Sequence, residues 1–267
     1  MFASVVLQSF AFGLRLALHY TFAMRIPRIF VPHPLQPGRD VELPAQAGGH
    51  LVRVLRLERG HPLRLFDGHG REYEGEIATL GKRAVGARVL AEIAVADIES
   101  PLRITLAQGI ARGEKMDWIL QKATELGVAR IVPLVTHRTE VRLDAERAPK
   151  RLAHWQAVLA SACEQSGRNR IPGLAEPVKL HEWAAGLGED AGVRLVLDPR
   201  RGVRTRELEV QAHATLVVGP EGGLSEQDLA TLAQAGFRGL RLGPRILRTE
   251  TAGLAAIAAL QAIHGDA

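Results

Sequence analysis

The sequence contains one cysteine, Cys163, among its 267 residues. A lone cysteine excludes an intrachain disulfide, and it excludes a zinc site built from a cysteine cluster. The ten histidines show no spacing typical of metal ligands either. We therefore expect a cytoplasmic protein that uses no metal.

Long uninterrupted apolar runs are also missing. Residues 1–23 are mostly apolar, but Gly13 and Arg15 interrupt them, so they make a poor membrane span. They lack a basic start and a clear small-residue cleavage site, which makes them a poor signal peptide. The stretch beginning at Met24 reads like a natural protein start. We interpret residues 1–23 as an extension, either disordered or produced by an upstream start, and expect no membrane contact.

Phosphate-binding motifs of the G-x-G-x-x-G and Walker A types do not occur, so binding of nucleotide phosphates is not indicated. Positive charge is in excess, with a net charge of +5 and a pI of about 9.9. Such an excess suits a polyanionic partner, because Lys and Arg neutralise phosphates. GC-rich coding also produces arginine-rich chains, so the charge alone does not identify the partner.

The hydropathy pattern divides the chain near residue 100. Residues 24–98 are predicted to be β-rich, with strands at 63–66 and 84–91, alternating apolar positions at Tyr73 and Ile77, and a helix at 50–57. Short strands separated by turns favour a small barrel.

Residues 101–267 alternate strands and helices, which predicts an α/β domain with a parallel sheet and helices on its faces. The predicted strands cover residues 104–107, 130–135, 194–198, 215–219 and 240–243, and the predicted helices cover residues 114–126, 150–166, 225–235 and 249–263.

Two of these strands run directly into Gly-Pro loops. Segment 219–223 reads Gly-Pro-Glu-Gly-Gly, and Ser225 with Asp228 then resembles a capping box that starts a helix. Segment 243–248 reads Gly-Pro-Arg-Ile-Leu-Arg, and a helix is expected to begin near Thr249. For the first loop the alternative is a tight strand–helix turn; for the second it is that Ile246 and Leu247 are core residues and the arginines are solvated. Together, at the carboxyl edge of a parallel sheet, they predict a cleft with an apolar wall and many backbone donors. Such a cleft suits adenine and a sulfonium ligand.

Both loops, in this order, resemble the SPOUT class of RNA methyltransferases. More narrowly they resemble the RsmE family, which methylates N3 of a uridine in 16S ribosomal RNA. Three further features agree with that family: segment 115–127, segment 164–168, and His50 followed by Val-Leu-Arg at 54–56. The resemblance covers about residue 25 to the end of the chain.

The resemblance implies S-adenosylmethionine as the methyl donor, a deep trefoil knot in the C-terminal domain (101–267), and a PUA-like RNA-binding barrel at 24–98. It also implies a homodimer that acts on 16S rRNA or the 30S subunit. The implied cofactor contacts are Leu197, Val218, Gly219, Pro220, Glu221, Gly222, Gly223, Leu242, Gly243, Ile246, Leu247, Thr249 and Ala252.

Six arginines are candidates for contact with RNA phosphates, although a solvated surface position is the alternative for each. They are Arg28, Arg53, Arg56, Arg168, Arg170 and Arg201.

Methylation of a uracil N3 requires loss of its proton, so a base or a group that stabilises the uracil anion is expected. Arg248 is the candidate stabiliser, since a guanidinium stays charged and can face O2 or O4 of the anion. Glu250 is the candidate base; a structural or solvated glutamate is the alternative. Holding the methyl donor in the right orientation against N3 is a further way to accelerate methyl transfer.

Two other functions fit parts of the sequence. A non-enzymatic RNA-binding or ribosome-assembly protein would retain the basic barrel but would not need two intact cofactor loops. A SPOUT methyltransferase acting on tRNA or on a ribose 2′-OH would retain both features.

Overall fold

The computed structural model describes residues 26–81, 84–141, 147–188, 192–199 and 202–267. The extension predicted at residues 1–23 lies outside the described residues. The described chain forms two β-sheets, one before and one after residue 100.

The first sheet has the strand order β1-β3-β4-β5-β2, in which only the β1–β3 pairing is parallel. Its core includes Tyr73 and Ile77, which the alternating pattern predicted to be buried. The predicted small β domain is therefore confirmed. Its elements are β1 (Arg28–Phe30), β2 (Asp40–Glu42), α1 (Ala45–Arg53), β3 (Pro62–Phe66), β4 (Glu72–Leu80) and β5 (Val85–Ile93).

The helix predicted at 50–57 is placed too far along the chain. Helix α1 begins after Pro44 and ends at Arg53. Leu51 is buried as expected, but Val54 and Leu55 are exposed, and Arg56 has a φ of 52°. The left-handed backbone of Arg56 prevents the helix from continuing to residue 57, and nothing in an apolar spacing announces such a residue.

The second sheet has the order β11-β13-β10-β12-β6-β7-β8, with β9 also paired to β7, and every pairing is parallel. The predicted α/β architecture is confirmed. The two-residue strands and α4 were not predicted, because segments this short carry no periodic signal. The elements are β6 (Arg103–Gly109), α2 (Glu114–Glu125), β7 (Arg130–Val135), α3 (Arg147–Ser166), β8 (Gly173–Leu174), β9 (Val178–Lys179), α4 (Leu180–Ala185), β10 (Val193–Leu197), β11 (Val203–Arg204), β12 (His213–Val218), α5 (Glu226–Gln234), β13 (Arg238–Arg241) and α6 (Thr249–His264).

Strand β13 lies between β10 and β11, although β10 and β11 follow each other in the chain and only residues 198–202 join them. Gly202 passes so close to β13 that a Cβ there would lie 2.5 Å from the carbonyl carbon of Gly239. A late strand inserted between two consecutive earlier strands is compatible with a threaded chain. The trefoil knot itself stays a prediction.

Two largely buried arginines lie near the end of α3, and Arg28 connects that region to the first sheet. Arg28 on β1 donates to the carbonyl oxygen of Cys163 at 2.8 Å and to Glu72 at 3.2 Å. Arg168, after α3, donates to the carbonyl oxygen of Thr124 at 2.8 Å and pairs with Glu99. The two arginine side chains are 12% and 6% exposed. The structure thus corrects the interpretation of Arg28 and Arg168 as phosphate contacts, since their donors are directed at protein acceptors.

No helix in the described ranges is both long enough and apolar enough to cross a membrane.

Candidate functional site

A cavity of about 880 Å³ opens at the carboxyl edge of the parallel sheet. The loops that follow β10, β12 and β13 form it, together with the first turn of α6. Its position and size are those of a small-molecule site in a parallel α/β sheet.

Twelve of the thirteen predicted cofactor contacts line this cavity, as do Arg248 and Glu250. Gly222 is the exception. Its carbonyl oxygen accepts a 3.0 Å hydrogen bond from Arg138, and a Cβ at Gly222 would lie 3.2 Å from the Cβ of Arg138. Gly222 therefore faces the Arg138 side of the loop, and a substitution there would disturb that contact rather than fill the cavity.

The wall of the cavity is mainly apolar. The aliphatic residues that line it are Leu197, Val218, Leu224, Leu229, Leu240, Leu242, Ile246 and Leu247. Glycines shape the rest: Gly243 has a φ of 128°, which other residues resist. Gly109 allows the 219–223 loop to approach β6, because a Cβ at Gly109 would lie 2.5 Å from the nitrogen of Pro220. The two predicted loops thus meet as expected.

A buried hydrogen-bond chain ties the loops together. Gln108, at the end of β6, is fully buried and donates from Nε2 to Thr249 Oγ1 at 3.0 Å. The Thr249 hydroxyl donates to the carbonyl oxygen of Gly219 at 2.6 Å. The start of α6, the end of β6 and the 219–223 loop are therefore held in one arrangement.

One edge of the cavity carries alternating charges. Glu221 Oε1 accepts from the backbone N–H of Arg112 at 3.0 Å and from Lys115 Nζ at 3.3 Å. Lys115 Nζ also lies 4.0 Å from Glu250 Oε2. Burial alone would raise the pKa of the Glu221 carboxyl, but the N–H of Arg112, its own backbone N–H and Lys115 together hold that pKa below its ordinary value.

Sequence reasoning missed several lining residues, of which Lys115, Arg138, Asp198 and Arg245 are charged. Lys115 lies inside the segment 115–127 that resembled the family, so a signal was available. Arg138 follows β7, and only the fold brings it beside the 219–223 loop.

The remaining predicted RNA contacts are placed differently from one another. Arg53 and Arg56 are exposed at the end of α1. Arg170 is also exposed, and its guanidinium donates to the carbonyl oxygen of His69 at 3.0 Å. Arg201 lies outside the described residues.

Two family models match the chain. A model described as an RNA methyltransferase domain matches residues 98–261, and one described as an RNA methyltransferase PUA domain matches residues 43–90. The parallel sheet, its cavity and these matches define the class of this protein as an RNA methyltransferase.

Individual relatives narrow the class. A ribosomal RNA small subunit methyltransferase E from Buchnera aphidicola is 34% identical over 243 residues, which are 91% of this chain and 98% of the relative. A crystal structure of the same-named protein from Neisseria gonorrhoeae, bound to S-adenosylmethionine, is 40% identical with a TM-score of 0.82, and it covers 91% of this chain and 99% of that one. A Legionella pneumophila methyltransferase with bound S-adenosylmethionine is 42% identical with a TM-score of 0.86, over 91% of this chain and all of that one. The chain belongs to the ribosomal RNA small subunit methyltransferase E family.

Proposed function

We propose that this protein binds S-adenosylmethionine in the cavity and methylates N3 of one uridine in the 16S rRNA of the small ribosomal subunit. The observation that carries the proposal is the convergence of both Gly-Pro loops on one apolar cavity, in a chain 40% identical to a relative crystallised with this cofactor. A cytoplasmic location follows from the proposed substrate, and the proposed chemistry needs no metal.

The cavity residues fit the proposed cofactor. Leucine side chains offer apolar surface to an adenine ring, while the backbone of the two loops offers polar groups for its edge. Glu221 and Glu250 supply negative charge near a ligand whose sulfonium and ammonium groups are positive. When bound, S-adenosylmethionine supplies an electrophilic methyl group to the substrate.

Two residues at the cavity are proposed to act on the uracil. Arg248 lies immediately before α6 with an exposed side chain, so its guanidinium can stabilise negative charge that develops on O2 or O4. Glu250 is proposed to take the N3 proton as the bond from N3 to the methyl carbon forms and the carbon–sulfur bond breaks. Its Oε2 accepts no hydrogen bond within the described part of the chain.

RNA contact is proposed for the exposed arginines of both domains: Arg53, Arg56 and Arg170, together with Arg201. Exposed guanidinium groups are hydrated, and they can replace this water with phosphate oxygens at little cost in free energy. The domain limits proposed are 24–98 for the RNA-binding unit and 101–267 for the methyltransferase unit.

A homodimer is proposed through α6. Ala255 and Ala259 on this helix are only half-buried in the single chain, and Ile263 is 49% exposed. Small residues allow close approach of a second helix. The double substitution Ala255→Glu and Ala259→Glu is expected to yield a monomer by sedimentation that no longer methylates RNA; a fully active monomer would contradict the proposal.

The test of the proposed function uses purified protein. Isothermal titration is expected to show one S-adenosylmethionine site per chain. Incubation with 30S subunits from a strain lacking the gene is expected to yield 3-methyluridine in 16S rRNA, detected by nucleoside mass spectrometry. Absence of cofactor binding in a folded sample, or a different modified nucleoside, would overturn the proposal.

A further inference from the structure

A second pocket lies beside the cofactor cavity, and four arginines line it. It encloses about 760 Å³. Arg204 comes from the end of β11, Arg206 from the short 3-10 helix Thr205–Glu207, Arg241 from the end of β13, and Arg245 from the loop that follows β13. Among the described residues that line this pocket there is no aspartate or glutamate. Four positive charges therefore face one concave surface.

The fold places two of these charges side by side. Arg204 on β11 and Arg241 on β13 are register partners, so their side chains leave the same face of the sheet. Like charges at neighbouring positions of a sheet destabilise it. Strand β11 is an edge strand, where charge also prevents pairing with other chains. That purpose does not account for Arg206 and Arg245, which reach the same pocket from outside the sheet.

The pocket arginines lack the carboxylate partners that other arginines of this protein have. Arg28, Arg88 and Arg168 each pair with an aspartate or glutamate. Within the ranges that the structure describes, none of the four pocket arginines forms an ion pair. The carboxylate of Glu207 lies close by, but it accepts at 3.1 Å from the backbone N–H of Arg204. A cluster of guanidinium groups without counter-ions is typical of a site that binds phosphate, whose oxygens a guanidinium contacts in pairs.

The arginine pocket shares a wall with the cofactor cavity. Residues 242–245 and Leu247 line both, so the 243–248 loop separates the two. An anion held in the pocket therefore lies across one loop from the proposed methyl donor. Contacts to RNA phosphates fix the position of the strand rather than read its sequence. A phosphate held here would set the position of the nucleotide that enters the cavity.

The floor of the pocket adjoins the face proposed for a second copy of the chain. Ala255 and Ala259 of α6 form that floor. A twofold interface joins equivalent surfaces of two copies, so the arginines of both copies would gather beside it. The two clusters repel each other, whereas an RNA strand would neutralise both.

We propose that the pocket formed by Arg204, Arg206, Arg241 and Arg245 binds a backbone phosphate of the substrate RNA, close to the uridine that is methylated. This inference rests on the proposed function, because it names how that site holds its RNA in position.

The test compares the double variant Arg204→Gln with Arg241→Gln and the control Arg238→Gln, which removes an exposed arginine at the opposite end of β13. Affinity for naked 16S rRNA and for unmethylated 30S subunits is measured by filter binding over a salt series. The double variant is expected to bind RNA about tenfold more weakly and to flatten the slope of log affinity against log salt by about one to two units. The control, and S-adenosylmethionine affinity in both proteins, should remain unchanged.

Lysine at the same two positions keeps the charge and serves as a second comparison. Arg204→Lys combined with Arg241→Lys should bind RNA within about threefold of the wild type, because an ammonium group still attracts phosphate. Unchanged RNA affinity and salt slope in the glutamine variant would overturn the inference, as would equal losses in the glutamine and lysine variants.

Thermal melting without RNA separates a binding site from a structural contact. The glutamine variant should melt at or above the wild-type temperature, because repulsion between register partners is relieved. A lower melting temperature would show that these arginines stabilise the fold, and a changed sedimentation coefficient would assign them to a contact between two copies; either result overturns the inference. If the wild-type protein binds S-adenosylmethionine and methylates 30S subunits, such results reject the phosphate pocket alone and leave the proposed function standing.

Discussion

The hydroxyl of Thr249, the first residue of α6, donates a 2.6 Å hydrogen bond to the carbonyl oxygen of Gly219 in the loop after β12. Gln108 donates to the same hydroxyl from β6. Thr249 thus joins two loops of the proposed cofactor site, and its side chain is positioned by a residue that is itself fully buried.

Thr249→Val keeps the shape of the side chain but removes both hydrogen bonds. We expect S-adenosylmethionine affinity to fall about tenfold, because the carbonyl oxygen of Gly219 and one N–H of the buried Gln108 amide lose their partner. Titration calorimetry measures the change, and Thr249→Ser, which restores the hydroxyl, serves as the control. Equal affinity in the valine and serine variants would show that the loops do not depend on this contact.

The charge of Glu221 predicts how the cavity responds to pH. The pKa of Glu221 is lower in the folded protein than the ordinary value of 4.5. The stability that its ionised carboxylate contributes to the folded protein is therefore fully present above that value. The contribution is lost only as pH falls through the lowered pKa. The difference in melting temperature between the wild type and Glu221→Gln should therefore stay constant from pH 8 to about pH 5 and shrink below it. A difference that already shrinks between pH 7 and pH 6 would contradict this assignment.

The buried Arg168 predicts an effect on stability rather than on RNA. Arg168→Leu removes one partner of the ion pair with Glu99 and is expected to lower the free energy of unfolding by about 3 kcal/mol. Arg170→Leu, two residues away and exposed, should cost less than about 0.5 kcal/mol but weaken RNA binding. Denaturant unfolding and filter binding separate the two effects. The reverse pattern would return Arg168 to the RNA-binding group.

The proposed role of Arg248 predicts slower chemistry with intact binding. Arg248→Ala should reduce the single-turnover methylation rate about a hundredfold, as expected for the loss of one group that stabilises developing charge. The slope of log RNA affinity against log salt should remain unchanged. Arg56→Ala is the control: it should flatten that slope by about one unit or less while sparing the rate at saturating RNA. An Arg248→Ala variant whose affinity falls in proportion to its rate would make Arg248 an RNA-binding residue.

The sequence predicted the fold where the signal was periodic or recurrent. The α2 stripe, the capping box at Ser225 and Asp228, and the two Gly-Pro loops were each readable from local spacing. The burial of Arg28 and Arg168 was not readable, because an arginine whose guanidinium is directed at protein acceptors has the same local sequence as one on the surface. Arg138 reaches the cavity only through tertiary packing, which no local sequence pattern encodes.

The central claim, that this protein methylates N3 of a uridine in 16S rRNA, is tested most directly by nucleoside mass spectrometry of small-subunit RNA from a strain that lacks the gene. We expect 3-methyluridine to disappear from 16S rRNA, the wild-type gene to restore it, and the Arg248→Ala gene to restore it poorly. Retention of 3-methyluridine in the deletion strain, or loss of a different modified nucleoside, would contradict the account.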